Sequence, residues 1–237
     1  MPAAAPSPGP RLRWQVGRVV AIRDETPSAK TFRLALDAPA EYLAGQHYVL
    51  RLTAPDGYTA SRSYSVASAP DGTAEIELTV ERLVGGEVSE FLHEVVMPGD
   101  ELELRGPIGT FFVWRGDAPA LLVGAGSGVV PLMAMLRLAR RSDLLRMLVS
   151  VRSPADLYYA GELPGPETTV VHTRRAPEGA ARPPGRLTAG DLAPLVRGGE
   201  DVYVCGSPAF ADAATERLVE VGVPVGAIRV ERFGPSG

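Results

Sequence analysis

The sequence predicts two domains: an antiparallel six-stranded β-barrel over residues 11–113, preceded by a disordered tail at 1–10, and an α/β parallel-sheet domain over 114–237. Three observations predict it. The first part of the chain is a series of short runs with strand composition, separated by closely spaced turn signals. From residue 118 the rhythm changes to strand, helix, strand, as in a parallel sheet covered by helices. At that change a glycine-rich loop follows an all-apolar strand and opens a helix.

In the first part, strands are predicted at 17–24, 29–36, 48–53, 62–67, 75–82 and 100–104. The turns between them fall at Ala44-Gly45, Pro55-Asp56-Gly57, Pro70-Asp71-Gly72 and Pro98-Gly99-Asp100. Only 89–96 reads as a helix, with Phe91, Leu92, Val95 and Val96 as its apolar face. Six strands with one helix predict a closed barrel, which removes exposed sheet edges. In the second part strands are predicted at 120–123, 145–151, 168–173, 201–205 and 227–233, and helices at 129–140, 155–163, 189–196 and 209–221. The residues 1–10 are Ala, Pro, Ser and Gly around Met1 and Arg-free, without the apolar segment of a signal peptide.

Composition removes several function classes. The formal charge of -4 and the absence of a basic stripe argue against a nucleic-acid partner. The apolar run 118–135 is interrupted by Gly124, Gly126, Gly128 and Pro131, so membrane insertion is not expected. One cysteine, Cys205, allows neither an internal disulfide nor a cysteine-held cluster, and points to a reducing, cytoplasmic setting. The three histidines are scattered, so no metal is expected.

Gly124-Ala125-Gly126-Ser127-Gly128-Val129-Val130-Pro131 is built to bring backbone N–H groups to a phosphate at a helix N-terminus. It is neither the GxGxxG fingerprint, whose third glycine would fall at Val129, nor a P-loop; a tight turn without a ligand is the competing reading. Where an NAD-binding fold carries an acidic ribose reader, this chain has Arg152 and Ser153, and the next strand ends in Thr173-Arg174-Arg175. These donors suit a 2'-phosphate, hence NADPH with NADH possible, unless they are only solvated loop charges.

In Arg62-Ser63-Tyr64-Ser65 the strand period puts Arg62 and Tyr64 on one face, a cation for phosphate beside an aromatic plane for stacking. Gly85-Gly86-Glu87-Val88-Ser89 opens the helix of the first domain, with Ser89 read as its cap, and offers a second phosphate site. Each feature has an ordinary structural alternative, a polar strand face or a plain cap. Together they describe a site for a flavin with a pyrophosphate.

With these motifs in order, followed by Gly106-Pro107-Ile108-Gly109, the glycine loop and Cys205-Gly206-Ser207-Pro208, and preceded by Gly45-Gln46, the sequence resembles the ferredoxin-NADP reductase superfamily. The resemblance runs from about Trp14 to the end and implies a flavin-binding barrel and an NAD(P)H-binding domain. It implies that Arg62 and Ser63 hold FAD, that Tyr64 stacks on its ring and that Ser65 meets the N5 edge. Val80, Arg82, Gly86, Val88 and Ser89 are implied for the phosphates and adenosine. Gly126, Ser127, Gly128 and Pro131 are implied for the dinucleotide, and Cys205, Gly206 and Ser207 for the nicotinamide side. Phe233 is implied as a cover on the flavin. Tyr64, Ser65, Cys205 and Glu231 form the implied catalytic set, in which Glu231 relays a proton or is a surface charge, and Cys205 positions the nicotinamide or is a plain buried thiol.

The implied activity is transfer of a hydride from NAD(P)H to FAD, then of single electrons to a separate ferredoxin, flavodoxin or oxygenase component. The ending Glu231-Arg232-Phe233-Gly234 resembles the bacterial reductase components of oxygenases, and nothing in the sequence reads as a fused ferredoxin domain. A flavin reductase that releases reduced flavin, and an electron-transfer subunit of a larger complex, are the alternatives. Arg11, Arg13, Arg18, Arg23 and Arg33 are candidates for a positive rim facing an acidic partner.

Overall fold

The computed structural model describes residues 13–139 and 144–234, so the expected tail at 1–10, Arg11 and the end of the expected helix at Arg140 lie outside the described residues. The first sheet contains β1 (Gln15–Thr26), β2 (Ala29–Leu36), β3 (His47–Thr53), β4 (Thr59–Ser65), β5 (Glu75–Glu81) and β6 (Glu101–Ile108), in the order β4-β3-β6-β1-β2-β5, with neighbours antiparallel. Alternation along the strands sends Phe32, Leu34, Leu50, Ile76, Leu78 and Leu104 into one core.

The expected closed barrel is an open sheet. Its edge strands β4 and β5 meet through one isolated bridge, Val66 with Leu78, beside the Ala67 N–H that donates to Glu77 O at 2.7 Å. Closure stops there because α1 (Glu87–Glu94) packs on both edge strands and puts Val88 and Leu92 into the same core. Ahead of that helix the two edges stay apart, and the gap becomes one side of a cavity.

The second sheet is parallel, in the order β11 (Ile228–Arg232), β10 (Asp201–Gly206), β7 (Ala120–Ala125), β8 (Leu145–Val151), β9 (Thr168–His172). Its central strands β7, β8 and β10 are buried at nearly every position because both faces are covered. On β7, Leu122 joins the core under α2 (Val129–Ala139), while Leu121 and Val123 join the core under α3 (Ala189–Leu192) and α4 (Pro208–Glu220). The chain builds outward from β7 to β9, then returns to lay β10 on the other side of β7. That reversal opens a crevice at the carboxyl ends of β7 and β10, where parallel α/β sheets bind ligands.

Two expected helices are shorter than their composition suggests. The stretch 155–163 is a single 3₁₀ turn, Pro154–Asp156, followed by turns, because Tyr159 sits at φ 57° and its N–H donates across the molecule to Glu25 Oε2 at 2.9 Å. The stretch 189–196 keeps only Ala189–Leu192 as α3, because Pro194 has no N–H to continue the ladder. Of the expected rim arginines, Arg23 pairs with Glu25 and Glu77 and Arg33 with Glu75, which neutralises part of that positive charge. Among the described residues no helix is long and apolar enough to cross a membrane.

Candidate functional site

A cavity of about 520 Å³ lies between the two sheets. One wall is β4, whose Arg62, Ser63, Tyr64 and Ser65 all line it. Tyr64 packs partly on the first core, and burial pushes its hydroxyl up to about 12. The Arg62 guanidinium donates to the carbonyl of Ser61 at 2.8 Å and has no carboxylate partner among the described residues. His47 of β3 stands opposite Ser65 in the ladder and also lines the cavity; burial lowers its pKa, which leaves a neutral imidazole at pH 7.

A second wall is the loop leading into α1, with Leu83, Val84, Gly85, Gly86, Val88 and Ser89. The expected cap moves. Gly86 occupies the N-cap and no side chain caps the helix, while Ser89 lies inside the first turn and its hydroxyl accepts from Leu83 N–H at 3.1 Å and donates to Gly86 O at 3.0 Å. A serine three positions past a glycine pair can brace the loop in this way, and the first-turn N–H groups are left for an anion. The acidic side chains of that turn are engaged elsewhere: Glu87 accepts from the Tyr58 hydroxyl at 3.2 Å and Glu90 from Gly85 N–H at 2.9 Å.

The third wall comes from the second domain: Ser127 and Val130 of the glycine loop, and Glu231, Arg232, Phe233 and Gly234 at the end of β11. The loop forms a 3₁₀ turn, Gly126–Gly128, ahead of α2. Gly126 has φ 55° with open space where a Cβ would point. Gly128 packs on β10, where an added Cβ would lie 2.3 Å from the Cys205 carbonyl oxygen. Phe233 is fixed by its N–H, which donates to Gly206 O at 2.8 Å.

Several expected site residues are not brought to the cavity. Val80 points into the first core, and its carbonyl faces the His93 ring nitrogen at 2.9 Å, so Thr79 and Glu81 line the wall from β5 instead. Arg82 pairs with Glu94 at 3.6 Å. Pro131 is buried in α2, and Cys205 is buried at the end of β10 behind Gly128. Ser207 caps α4, accepting from Phe210 N–H at 3.3 Å.

Arg152, Ser153, Thr173 and Arg174 form a second locus on the same carboxyl edge. The Arg152 carbonyl accepts from Arg174 N–H at 2.9 Å and from Arg175 N–H at 3.0 Å, while the Ser153 hydroxyl donates to Asp156 at 2.5 Å. His47, Thr79, Glu81, Leu83 and Val84 are lining residues that sequence reasoning missed. Strand parity from Ser65 and Val80 was the available signal for His47, Thr79 and Glu81.

Glu231 carries the strongest electrostatic feature. It stands beside Cys205 in the β10–β11 register, its Oε2 is buried without a hydrogen-bond partner, and burial raises its pKa to about 7. The Cys205 thiol is itself pushed up by burial and by Glu231.

The chain matches two family models, "Oxidoreductase FAD-binding domain" over residues 17–113 and "Oxidoreductase NAD-binding domain" over residues 122–216. It is 31% identical over 235 residues to a Ralstonia sp. ferredoxin–NAD(P)(+) reductase component of naphthalene 1,2-dioxygenase/salicylate 5-hydroxylase systems, covering 93% of this chain and 69% of that one. A Pseudomonas putida reductase component of a naphthalene 1,2-dioxygenase system is 32% identical over the same shares. The chain belongs to the ferredoxin-NADP reductase superfamily.

Among solved structures of the superfamily fold, the FAD/NAD-binding domain of a Vibrio cholerae nitric oxide dioxygenase superposes with a TM-score of 0.81 at 27% identity, covering 93% of this chain and 99% of that chain. The Amycolatopsis cytochrome P450 reductase does so at 0.78 and 27%, covering 94% and 71%. As a member of this superfamily the protein is an oxidoreductase that uses FAD and a pyridine nucleotide. The residues present fit a flavin: an unpaired guanidinium beside a half-buried aromatic ring, an N-terminal helix turn without a side-chain cap, and an orphaned buried carboxyl oxygen at the far wall.

Because the fold raises the Glu231 pKa, its stabilising neutral form is fully populated below the usual carboxylate range, and that stability is lost as pH rises through about 7. Glu231→Gln is therefore expected to stabilise the flavin-free protein at pH 8 by roughly 2–3 kcal/mol and to change little below pH 4.5. Denaturant midpoints of both proteins across that range check it; equal midpoints at pH 8 would show that the carboxylate is well solvated.

Proposed function

We propose that the protein takes a hydride from NAD(P)H at an FAD seated in the inter-sheet cavity and hands the electrons singly to a separate ferredoxin, flavodoxin or oxygenase component. The observation that carries this reading is the convergence of Arg62, Tyr64 and the α1 loop with Ser127 and Phe233 of the other domain on one cavity. FAD, when bound, supplies the step from a hydride pair to single electrons, chemistry that no side chain provides. In this reading Arg62 and the first turn of α1 hold the pyrophosphate, Tyr64 and Phe233 flank the ring, and Ser65 meets its polar edge. Gly126 and Ser127 seat the nicotinamide dinucleotide. Cys205 shapes the floor through Gly128 without touching solvent, and Glu231 holds or gives up a proton near neutral pH.

The relatives named as reductase components of dioxygenase systems support an acceptor of that kind. The single buried cysteine fits a cytoplasmic setting. Anaerobic titration of the FAD-loaded protein with NADPH and NADH tests the first half-reaction, and stopped-flow transfer to a panel of ferredoxins and flavodoxins, beside free FMN and FAD, tests the second. Rapid turnover with free flavin and none with any protein acceptor would assign a flavin reductase.

We also propose a preference for NADPH. It rests on Arg152 and Arg174, which are exposed and held side by side at the sheet edge; the Ser153 hydroxyl is already taken by Asp156. Arg174→Ala is expected to lower the NADPH/NADH ratio of kcat/KM by about ten- to a hundredfold, the worth of one charged contact to a phosphate. An unchanged ratio would mean that the arginine is only solvated and carries no preference.

A further inference from the structure

Tyr159 belongs to the second domain, yet both of its hydrogen-bond donors are bonded to the first. Its hydroxyl donates to Thr79 Oγ1 at 2.6 Å, and its N–H donates to Glu25 Oε2 at 2.9 Å. The Thr31 hydroxyl donates to Glu25 Oε1 at 2.7 Å, and the Thr31 and Thr79 hydroxyls lie 2.7 Å apart. Each hydroxyl has one proton. With the Thr31 proton on Glu25, Thr31 accepts from Thr79, and Thr79 in turn accepts from Tyr159. The protons therefore run one way, from Tyr159 through Thr79 and Thr31 to the carboxylate, and the backbone of Tyr159 closes the ring on that same carboxylate. A ring of this kind, buried and fully satisfied, is rigid. Glu25 is buried against it with its side chain 4% exposed, and Arg23 pairs with it at 2.8 Å.

A second tie runs parallel. Arg137 of α2 donates to Ala67 O at 2.8 Å and to Glu77 Oε2 at 2.7 Å in the first domain, while Glu162 of its own domain takes the rest of its guanidinium at 2.5 Å. The same guanidinium lies 5.1 Å from the centre of the Tyr159 ring. Tyr159 is held at φ 57°, the one non-glycine residue with positive φ among the described residues. The side-chain orientation that reaches Thr79 depends on this left-handed backbone, and Thr79 is itself a wall residue of the cavity.

We infer that Tyr159 is a positioning residue for hydride transfer: it locks the nucleotide domain to the cavity wall at Thr79 and so fixes how far Ser127 and its bound dinucleotide stand from the flavin. This rests on the function proposed above. Of the ring only Thr79 lines the cavity; Tyr159, Thr31 and Glu25 stand behind it. Its effect is distance, and a displacement of about 1 Å at a reacting pair costs on the order of a hundredfold.

Tyr159→Phe keeps the ring and removes the donor. In stopped-flow reduction of the FAD-loaded protein, the limiting rate is expected to fall by about ten- to a hundredfold, while the Kd values for FAD and for NAD(P)H stay within about threefold of wild type. A readout independent of activity is hydrogen exchange of the flavin-free protein. The Tyr159 amide, which donates to Glu25, is expected to lose about tenfold in protection together with the amides of Glu162 and Leu163 that donate to Tyr159 O. Glu25→Gln, which keeps the shape but removes the charge that ends the relay, is expected to act in the same direction and stands in should Tyr159→Phe not fold. A limiting rate within about twofold of wild type, or a rate lost in proportion to FAD affinity, would overturn the positioning role. Wild-type protein that takes up no FAD would overturn the functional reading and this inference with it. A wild type that is reduced normally, with a variant that is too, overturns the inference alone.

Discussion

Gly128→Ala is expected to destabilise the flavin-free protein by about 3 kcal/mol or more, which is large for the addition of one methyl group. The added Cβ would lie 2.3 Å from the Cys205 carbonyl oxygen, 2.4 Å from its carbon and 2.5 Å from Gly206 N. All three are backbone atoms of β10, a strand bonded on both sides, to β7 and β11, so no flexible side chain can swing away. Either α2 lifts from the sheet or β10 is pushed out of register with Glu231. The neighbouring Gly126→Ala separates this steric effect from backbone strain. There the new methyl meets nothing within 4 Å, and the cost is that of a left-handed residue, about 1–2 kcal/mol. Denaturant midpoints should rank wild type above Gly126→Ala and Gly126→Ala above Gly128→Ala. The reverse order would mean that the loop relaxes easily away from β10.

The glycine loop shows which parts of the site can be read from a sequence. Gly124 to Pro131 after an apolar strand announces a strand-to-helix turn of close approach, because only glycine fits there. The two reasons for its glycines, left-handed backbone at Gly126 and contact with β10 at Gly128, are properties of the fold. The central parallel strands β7, β8 and β10 were legible because burial on both faces leaves a largely apolar run. The Arg62 to Ser65 strand was legible because its polarity is out of place beside a core.

What was not legible depended on long-range contacts. The open edge between β4 and β5 follows from where α1 lands, and no local signal encodes that. The stretch 155–163 has helical composition, yet the bond from Tyr159 N–H to Glu25, 134 residues away in sequence, overrides it. The cavity wall at Thr79 and Glu81, with Val80 turned inward, is a matter of strand parity, which a motif match does not fix.

Arg62→Ala is expected to weaken FAD binding by roughly a hundredfold. The Arg62 side chain lines the cavity with its guanidinium bonded to one carbonyl, Ser61 O, and with no carboxylate partner among the described residues, so its charge is compensated by solvent alone until an anion arrives. Near it the first turn of α1, whose N–H groups no side chain caps, offers a pyrophosphate a second anchor. A hydrogen bond to a charged group contributes about 1.5–3 kcal/mol, which corresponds to about ten- to a hundred-and-fifty-fold in Kd, and a forked contact lies at the upper end. Arg62→Lys should recover part of the loss, since it restores the charge but not the planar fork. Because Arg62 sits on the edge strand β4 and belongs to no ion pair among the described residues, the thermal midpoint of the flavin-free protein should hardly move. Quenching of flavin fluorescence on titration gives the Kd of each variant. If Arg62→Ala binds FAD within about threefold of wild type, the pyrophosphate is held by the α1 turn, and the guanidinium serves the rim of the cavity instead.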